Sequence, residues 1–344
     1  MMNNEISLLI IYTGGTIGMI KDPKTGSLKP FNFNGVYEQI PELQRFHYRL
    51  GFHAFDPLID SSDMNPDRWV QLATIIEKNY ESFDGFVILH GSDTMAHTAS
   101  ALSFMLENLN KPVIFTGSQL PLGVLRTDGR ENFITAIELA AATEENTPLL
   151  PEVCIYFENH LLRANRTTKY NAENFNAFVS PNYPELANVG VYIKYNRHQI
   201  LKPNFKKLKV HKTLNNHIAI LKLFPGITPE AVKGILHIPG LKAVIMETFG
   251  AGNATTETWF VRLLEESIQN GLHIINVSQC PAGAVEQGKY DTSLQLKKIG
   301  VISGYDMTTE AALTKSMYLL GQNLPPEKFR AIMNLPIRGE ITVH

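Results

Sequence analysis

Short apolar runs rich in β-branched residues recur along the chain, each broken by a glycine or hydroxyl turn and then followed by apolar residues at helical spacing. That alternation is the tightest constraint on the fold, because strand, turn and helix repeated in order need crossover connections and therefore a mostly parallel sheet. The first run sets the pattern. Ile6 to Met19, ISLLIIYTGGTIGM, reads as a buried strand ending at Thr13-Gly14-Gly15-Thr16, where two glycines permit backbone angles that other residues resist and leave a threonine hydroxyl at the strand's C-terminal edge. In open α/β sheets, ligands gather at that edge.

The same grammar repeats downstream. Lys21 to Pro30, KDPKTGSLKP, is turn-rich and charged, an exposed loop of the kind that serves as a lid. Asp60-Ser61-Ser62-Asp63-Met64-Asn65-Pro66 precedes a helix carrying Trp69, Leu72, Ala73, Ile76 and Tyr80, with Asn65 as cap and Pro66 in the first turn. FVILH (Phe86 to His90) leads through Gly91-Ser92-Asp93-Thr94 into a helix with Ala99, Leu102 and Leu106 on one face. KPVIFTGSQLPL (Lys111 to Leu122), a helix near Glu131 to Ala142, and PEVCIYFENHLLRANRTTKY (Pro151 to Tyr170) continue it.

A chain of 344 residues exceeds what one core usually sustains, so two domains are expected. The fold class is α/β: a larger N-terminal domain, 1–193, with a mostly parallel sheet, a linker, 194–216, and a smaller C-terminal α/β domain, 217–344. The linker is marked by composition, since residues 194–212 hold seven Lys or Arg and no acidic residue; an anionic-ligand patch is the alternative reading. After it the alternation restarts with IAILKLFPG (Ile218 to Gly226), KAVIMETFGAGNA (Lys242 to Ala254), LHIINVSQCPAGAV (Leu272 to Val285) and a last helix, MTTEAALTKSMYLL (Met307 to Leu320).

Composition removes several classes of function. The formal net charge is -2, from 31 basic and 33 acidic residues, so neither nucleic acid nor an anionic membrane is a global partner and a small-molecule substrate is the default. Two cysteines, Cys154 and Cys280, stand in no CxxC or zinc-type spacing, which fits a reducing compartment. The opening MMNNE has no basic residue, and cleaving the apolar run after it as a signal would destroy the TGGT motif, so a cytoplasmic location is expected.

Glycine-rich strand-to-helix turns often cradle phosphates, but no GxxxxGK[ST] occurs and neither Gly14-Gly15 nor Gly250-Ala251-Gly252 extends into GxGxxG. The eleven histidines are scattered with no HExxH pair, so no metal site is expected and His90 and His97 read as core or capping residues. A hydroxyl nucleophile remains. Threonine needs a base and a stabilised oxyanion to act as one, and Ser92, Asp93 and Lys169 lie at two further strand ends. Lys169 loses its proton readily only when desolvated or beside positive charge; a neighbouring carboxylate instead holds it charged and oriented. Bland roles exist for each: Thr13 and Thr16 as turn hydroxyls, Ser92 and Asp93 as helix caps, Lys169 as a surface residue. Polar residues gathered at the ends of several parallel strands weigh against that bland set.

TGGTIGM, DSSDM and HGSDTM, followed by GSQLPL, RTDGREN, NRTTK, GAGNA and DMTTEAALTK, together resemble the L-asparaginases, and their order resembles the cytosolic type I branch. The resemblance covers nearly the whole chain. It implies a cofactor-free hydrolase converting L-asparagine and water to L-aspartate and ammonia. Residue by residue, it makes Thr16 the nucleophile, and Ser92, Asp93 and Lys169 the second hydroxyl, the carboxylate and the lysine of the triad. Asp93 also helps hold the substrate's α-amino group, while Asp60, Ser61 and Ser62 grip its α-carboxylate end.

Three departures accompany the resemblance. Ser92 replaces the usual threonine and keeps the hydroxyl. In the lid, alignment through Gly26 puts Ser27 where relatives carry a tyrosine, leaving Ser27, Phe31 or Tyr37 to complete the site. For the effector site of some relatives, Thr168 and Cys280 match, but Glu247 stands at the arginine position and would repel an effector carboxylate. The resemblance also implies a homodimer or homotetramer in which Asn253 reaches the neighbouring subunit's site; the alternative is that Asn253 takes a left-handed turn conformation. Competing functions are a glutaminase or asparaginase of mixed specificity, an ammonia-supplying amidotransferase subunit, and a non-catalytic amino-acid sensor.

Overall fold

A computed structural model of the chain describes residues 5–21, 28–30, 40–288 and 291–342. Two compact units result, Met1–Ser180 with Pro184–Lys212, and Pro181–Tyr183 with Thr213–His344. Ser27, Phe31 and Tyr37 lie outside the described residues.

The first unit contains β1 (Ser7–Tyr12), β2 (Arg49–Ala54), β3 (Gly85–Leu89), the short β4 (Leu106–Glu107), β5 (Val113–Thr116), β6 (Val153–Phe157), β7 (His160–Arg163), the short pair β8 (Thr168–Lys169) and β9 (Phe178–Val179), β10 (Ala187–Val189), β11 (Ile193–Tyr195) and β12 (Lys209–Val210). Its main sheet has the order β11-β10-β7-β6-β5-β3-β1-β2. β2, β1, β3, β5 and β6 run parallel, and the remaining three continue antiparallel. Counting the parallel strands in chain order, they stand 2-1-3-4-5, so the direction of travel reverses between β1 and β3. That reversal opens a crevice at the strands' C-terminal ends.

Every residue of β1, β3, β5 and β6 is buried, as a parallel sheet covered on both faces requires. The covering helices are α1 (Pro66–Asn79), α2 (Met95–Met105) and α3 (Gly129–Ala141). α1 starts as its sequence demands: the Asn65 side chain accepts the Arg68 N–H at 3.2 Å and Pro66 opens the first turn. It buries Trp69, Leu72, Ala73 and Ile76. One expectation is corrected at the end of α2, where Leu106 leaves the helix to open β4 and pairs with Val210. Residues 194–212 are tied along this unit through β11, through β12 on β4, and through His211 to Glu107 and Lys212 to Glu77, each at 2.5 Å.

The second unit is a four-stranded parallel sheet of β13 (Ile218–Lys222), β14 (Ala243–Thr248), β15 (His273–Ser278) and β16 (Ile302–Ser303), in that order. Leu221, Val244, Met246 and Ile274 form its core with Val232 and Leu236 of α4 (Pro229–Leu236), Phe260 and Leu264 of α5 (Thr258–Gln269) and Leu296 of α6 (Asp291–Ile299). α7 (Thr309–Gly321) matches the expected final helix, but the chain makes one more, α8 (Pro326–Met333). Lys315, in the DMTTEAALTK motif, has a structural duty: its Nζ lies 2.5 Å from Glu340 Oε1 with both side chains fully buried, and donates to the carbonyls of Met333 and Leu335. Glu340 in turn accepts the N–H groups of Ile337 and Arg338, fastening the segment after α8 to α7. No described helix is long and apolar enough to cross a membrane.

Candidate active site

The site is assembled from the ends of three adjacent parallel strands and one hairpin. After β1 the chain turns through Gly14 (φ 138°) and Gly15 (φ 88°), and sterics as well as angle select glycine. A Cβ on Gly14 would stand 2.0 Å from the Ile59 carbonyl oxygen, and one on Gly15 would stand 2.5 Å from Gly91 Cα. Backbone thus touches backbone where β1 and β3 end. Thr13 is buried, and its hydroxyl and N–H both donate to the Leu89 carbonyl, at 3.1 and 3.0 Å, while its own carbonyl accepts the Ile59 N–H at 2.8 Å. Thr16 opens a short 3-10 turn to Gly18 and is half-buried. The two threonines are therefore split: Thr13 is a turn hydroxyl, and among the described residues no such anchoring bond occupies Thr16.

The turn after β2 is stabilised by Asp60, whose carboxylate accepts the Ser62 N–H at 2.9 Å and the Ser62 hydroxyl at 2.8 Å. Those two bonds pull the Asp60 carboxyl below its ordinary range. Ser61 is buried, its Oγ abuts Gly91, and its carbonyl accepts the Thr94 hydroxyl at 2.5 Å. Asp60, Ser61 and Ser62 therefore stand beside the end of β3.

At that end, His90 is wholly buried, and its Nδ1 lies 2.6 Å from the Gly91 carbonyl, which makes Nδ1 the protonated nitrogen. Desolvation lowers its pKa to about 4, so the ring is a neutral core group. Ser92 and Asp93 follow, and here the capping alternative is corrected: the residue at the N-cap of α2 is Thr94, and Ser92 and Asp93 face Lys169 instead. Lys169 Nζ donates to Ser92 Oγ at 2.9 Å and to Asp93 Oδ1 at 2.6 Å. Its side chain is 18% exposed against 67% for Asp93, so it is not a free surface lysine. A carboxylate and a hydroxyl fix the direction of the lysine, and the hydroxyl keeps its own proton available for transfer.

The structure thus joins Ser92, Asp93 and Lys169 by hydrogen bonds and brings Thr16 and the Asp60–Ser62 segment to the same sheet edge. The remaining sequence candidates are placed elsewhere or outside. Thr168, beside Lys169 on β8, is half-buried in the first unit. Glu247 and Cys280 belong to the second unit. Glu247 accepts the Thr309 hydroxyl at 2.8 Å and pairs with Lys222 Nζ at 3.1 Å, while Cys280 is exposed with its N–H on Ser278 Oγ. Asn253 closes a turn on Phe249 by two backbone bonds of 2.8 and 2.9 Å. The left-handed positions of that turn are Gly250 and Gly252, which corrects the alternative reading of Asn253. Among the described residues no group of three or more His, Cys, Asp or Glu side chains could hold a metal ion.

A polar framework behind the site was not anticipated from sequence. Asp128 accepts the Gln119 N–H at 2.9 and 3.1 Å and the Leu120 N–H at 3.1 Å, and Asn132 donates to the Gly117 carbonyl at 2.9 Å. The signal was present as two motifs, GSQLPL and RTDGREN. Only the fold shows that the second clamps the first.

Comparison with known proteins agrees with this architecture. The family profile described as Asparaginase, N-terminal, matches residues 7–201, and that of the Glutaminase/Asparaginase C-terminal domain matches residues 217–333. L-asparaginase 1 of Escherichia coli (strain K12) is 43% identical over 345 residues, covering 98% of both chains. The crystal structure of L-asparaginase I from Vibrio cholerae superposes with a TM-score of 0.88 at 43% identity, covering 98% of this chain and 100% of that one. The thermostable L-asparaginase from Thermococcus kodakarensis gives a TM-score of 0.89 at 28% identity, again over 98% and 100%. Two family profiles in the expected order, with relatives aligned from end to end, place this chain in the asparaginase family.

Proposed function

We propose that the chain hydrolyses L-asparagine to L-aspartate and ammonia, with Thr16 as the nucleophile. The observation that carries this reading is Lys169 Nζ held at 2.9 Å from Ser92 Oγ and 2.6 Å from Asp93 Oδ1, at the sheet edge where the Gly15 backbone meets Gly91. The Thr16 oxygen attacks the side-chain amide carbon and its proton is passed to the amide nitrogen, backbone N–H groups of the strand-end turns take up the charge on the oxyanion, and the C–N bond breaks to release ammonia. Water then adds to the aspartyl ester carbon, its proton passing by way of the Ser92 hydroxyl, which the Lys169 ammonium orients, to the Thr16 oxygen as the ester C–O bond breaks. Asp93 faces the substrate's α-ammonium group, and the Asp60–Ser62 turn receives its α-carboxylate through the Ser61 hydroxyl. The enzyme acts in the cytoplasm as a homodimer or homotetramer, with Asn253 contributing to a neighbouring subunit's site.

The test is ammonia release from L-asparagine and from L-glutamine by wild type and Thr16→Ala. Wild type releases ammonia from asparagine, and Thr16→Ala releases essentially none. Comparable turnover of glutamine identifies a mixed-specificity enzyme, and no release from either amide by wild type overturns the enzymatic reading in favour of a binding protein.

A further inference from the structure

Lys169 stands on a hairpin with few internal supports. β8 and β9 pair over two residues each, Thr168 with Val179 and Lys169 with Phe178, and so short a ladder is not stable by itself. One end is anchored by Phe178, a buried residue whose ring centre lies 5.0 Å from that of Phe157. The connecting residues 170–176 loop at the surface, where Tyr170 is 67% exposed, before the chain re-enters at buried Ala177. The loop is folded on itself: the Tyr170 and Asn171 N–H groups donate to the Ala177 carbonyl, and the Asn171 side-chain oxygen accepts the Glu173 and Asn174 N–H groups.

Two carbonyls of this loop converge on a single side chain from elsewhere. Gln119 Nε2 donates to Asn174 O at 3.0 Å and to Ala172 O at 3.4 Å. Because both partners are acceptors, the nitrogen end of the amide must be the end that faces them. Gln119 is itself held firmly, its N–H on both carboxylate oxygens of Asp128 at the start of α3. A continuous line of bonds runs from α3 through Gln119 to the loop that carries Lys169.

We propose that Gln119 is a positioning residue for the reaction: it ties the 170–176 loop to the rigid end of β5 and so keeps Lys169 Nζ within reach of Ser92 and Asp93. This rests on the reading of Lys169 as a catalytic group in asparagine hydrolysis. A displacement of about 1 Å at a catalytic group lowers rates on the order of 100-fold, whereas among the described residues the Asp60–Ser62 turn assigned to the substrate's α-carboxylate has no bond to this tie.

The experiment compares wild type with Gln119→Met, which keeps length and loses both donors, Gln119→Glu, which sets a carboxylate against two carbonyls, and Gln119→Asn, one methylene too short to reach both. Steady-state ammonia release, thermal melting and hydrogen exchange of the 170–176 amides are measured on each. The expected result is a kcat about tenfold or more lower in Gln119→Met with KM within about threefold, a larger loss in Gln119→Glu, and a partial loss in Gln119→Asn. Exchange quickens in the loop while the melting temperature holds. Gln119 is only half-buried, and if the Met or Glu variant fails to melt cooperatively, the Asn variant decides on the same readouts. Unchanged kcat in the folded variants of an active enzyme overturns the role of Gln119 alone, as does a kcat loss with unchanged loop exchange. A wild type inert toward asparagine overturns the functional reading instead, and with it the role of Gln119 in turnover.

Discussion

Lys169 and Ser92 stand 77 residues apart in the chain, and in the folded unit the lysine Nζ donates to the serine Oγ at 2.9 Å. The same nitrogen reaches Asp93 at 2.6 Å, so a side chain with four flexible methylenes is confined by two partners on one turn. Confinement of this kind serves proton transfer, which contributes roughly 10²- to 10⁴-fold when the group is correctly placed.

Replacing Lys169 by Met keeps the stem and removes the ammonium. We predict a kcat lower by at least about 100-fold with a KM changed only a few-fold, because the role proposed for the lysine places its work in the transition state. Stability changes little, since its partner Asp93 is 67% exposed and an ion pair in that setting contributes about 0 to 1 kcal/mol. Ammonia-release kinetics beside a denaturant titration checks both halves. A proportionate rise in KM, or a large loss of stability, would assign Lys169 to structure.

Thr13 is expected to behave in the opposite way. Its buried hydroxyl donates to the Leu89 carbonyl, and the same carbonyl also accepts the Thr13 N–H, so removing the hydroxyl leaves no orphaned acceptor. Thr13→Ala should cost about 0.5 to 1.5 kcal/mol of unfolding free energy and leave turnover per folded molecule near wild type. Chemical denaturation paired with active-site-normalised rates is the measurement, and a loss of turnover at unchanged stability would give Thr13 a chemical role.

Much of the architecture was legible because buried parallel strands leave a strong local mark. LLIIY and FVIL are continuous apolar runs, and the Asn65-Pro66 start of α1 is a capping signal that acts within a few residues. The positions proposed to carry the chemistry were read from motifs, not from pattern: nothing local to Lys169 shows that it meets Ser92. Contacts between segments were the hidden part. Asp128 binding the N–H groups of Gln119 and Leu120, or Lys315 meeting Glu340 in the core, depends on how distant segments fold together, and a hydrophobic pattern carries no record of it. The final helix α8 was missed for a plainer reason, since PPEKFRAIM has only a short apolar stripe, Phe329 and Met333, four residues apart.

Glu247 stands at the effector-site position that the sequence resemblance implies. Its carboxylate is already engaged by Lys222 at 3.1 Å and by the Thr309 hydroxyl at 2.8 Å, so an incoming effector carboxylate would meet a negative charge with its cationic partner occupied. We predict hyperbolic initial rates with asparagine, with a Hill coefficient of about 1, because a carboxylate at this position repels an effector carboxylate. Initial rates over a wide asparagine range decide it, and clear sigmoidality would sink the prediction.

His90 makes the stability of the first unit depend on pH in a window set by burial. Desolvation holds its folded-state pKa at about 4 against an ordinary 6.5, so between those values the unfolded chain binds a proton that the folded chain refuses. The unfolded state binding more protons means stability rises with pH there, and falls as pH drops from 6.5 toward 4, levelling off below. The full effect is about 3 to 4 kcal/mol, taking roughly 1.4 kcal/mol for each pH unit of separation. Asp60 acts in a lower range: its folded pKa lies below 3.8, so the stability it contributes is present above 3.8 and lost only as pH falls through that folded value. Urea titrations of wild type and His90→Gln from pH 7 to pH 4 separate the two. The variant, whatever its stability at pH 7, should lose distinctly less than wild type between pH 6.5 and pH 4.5, and parallel curves would mean that the His90 ring takes up its proton without unfolding.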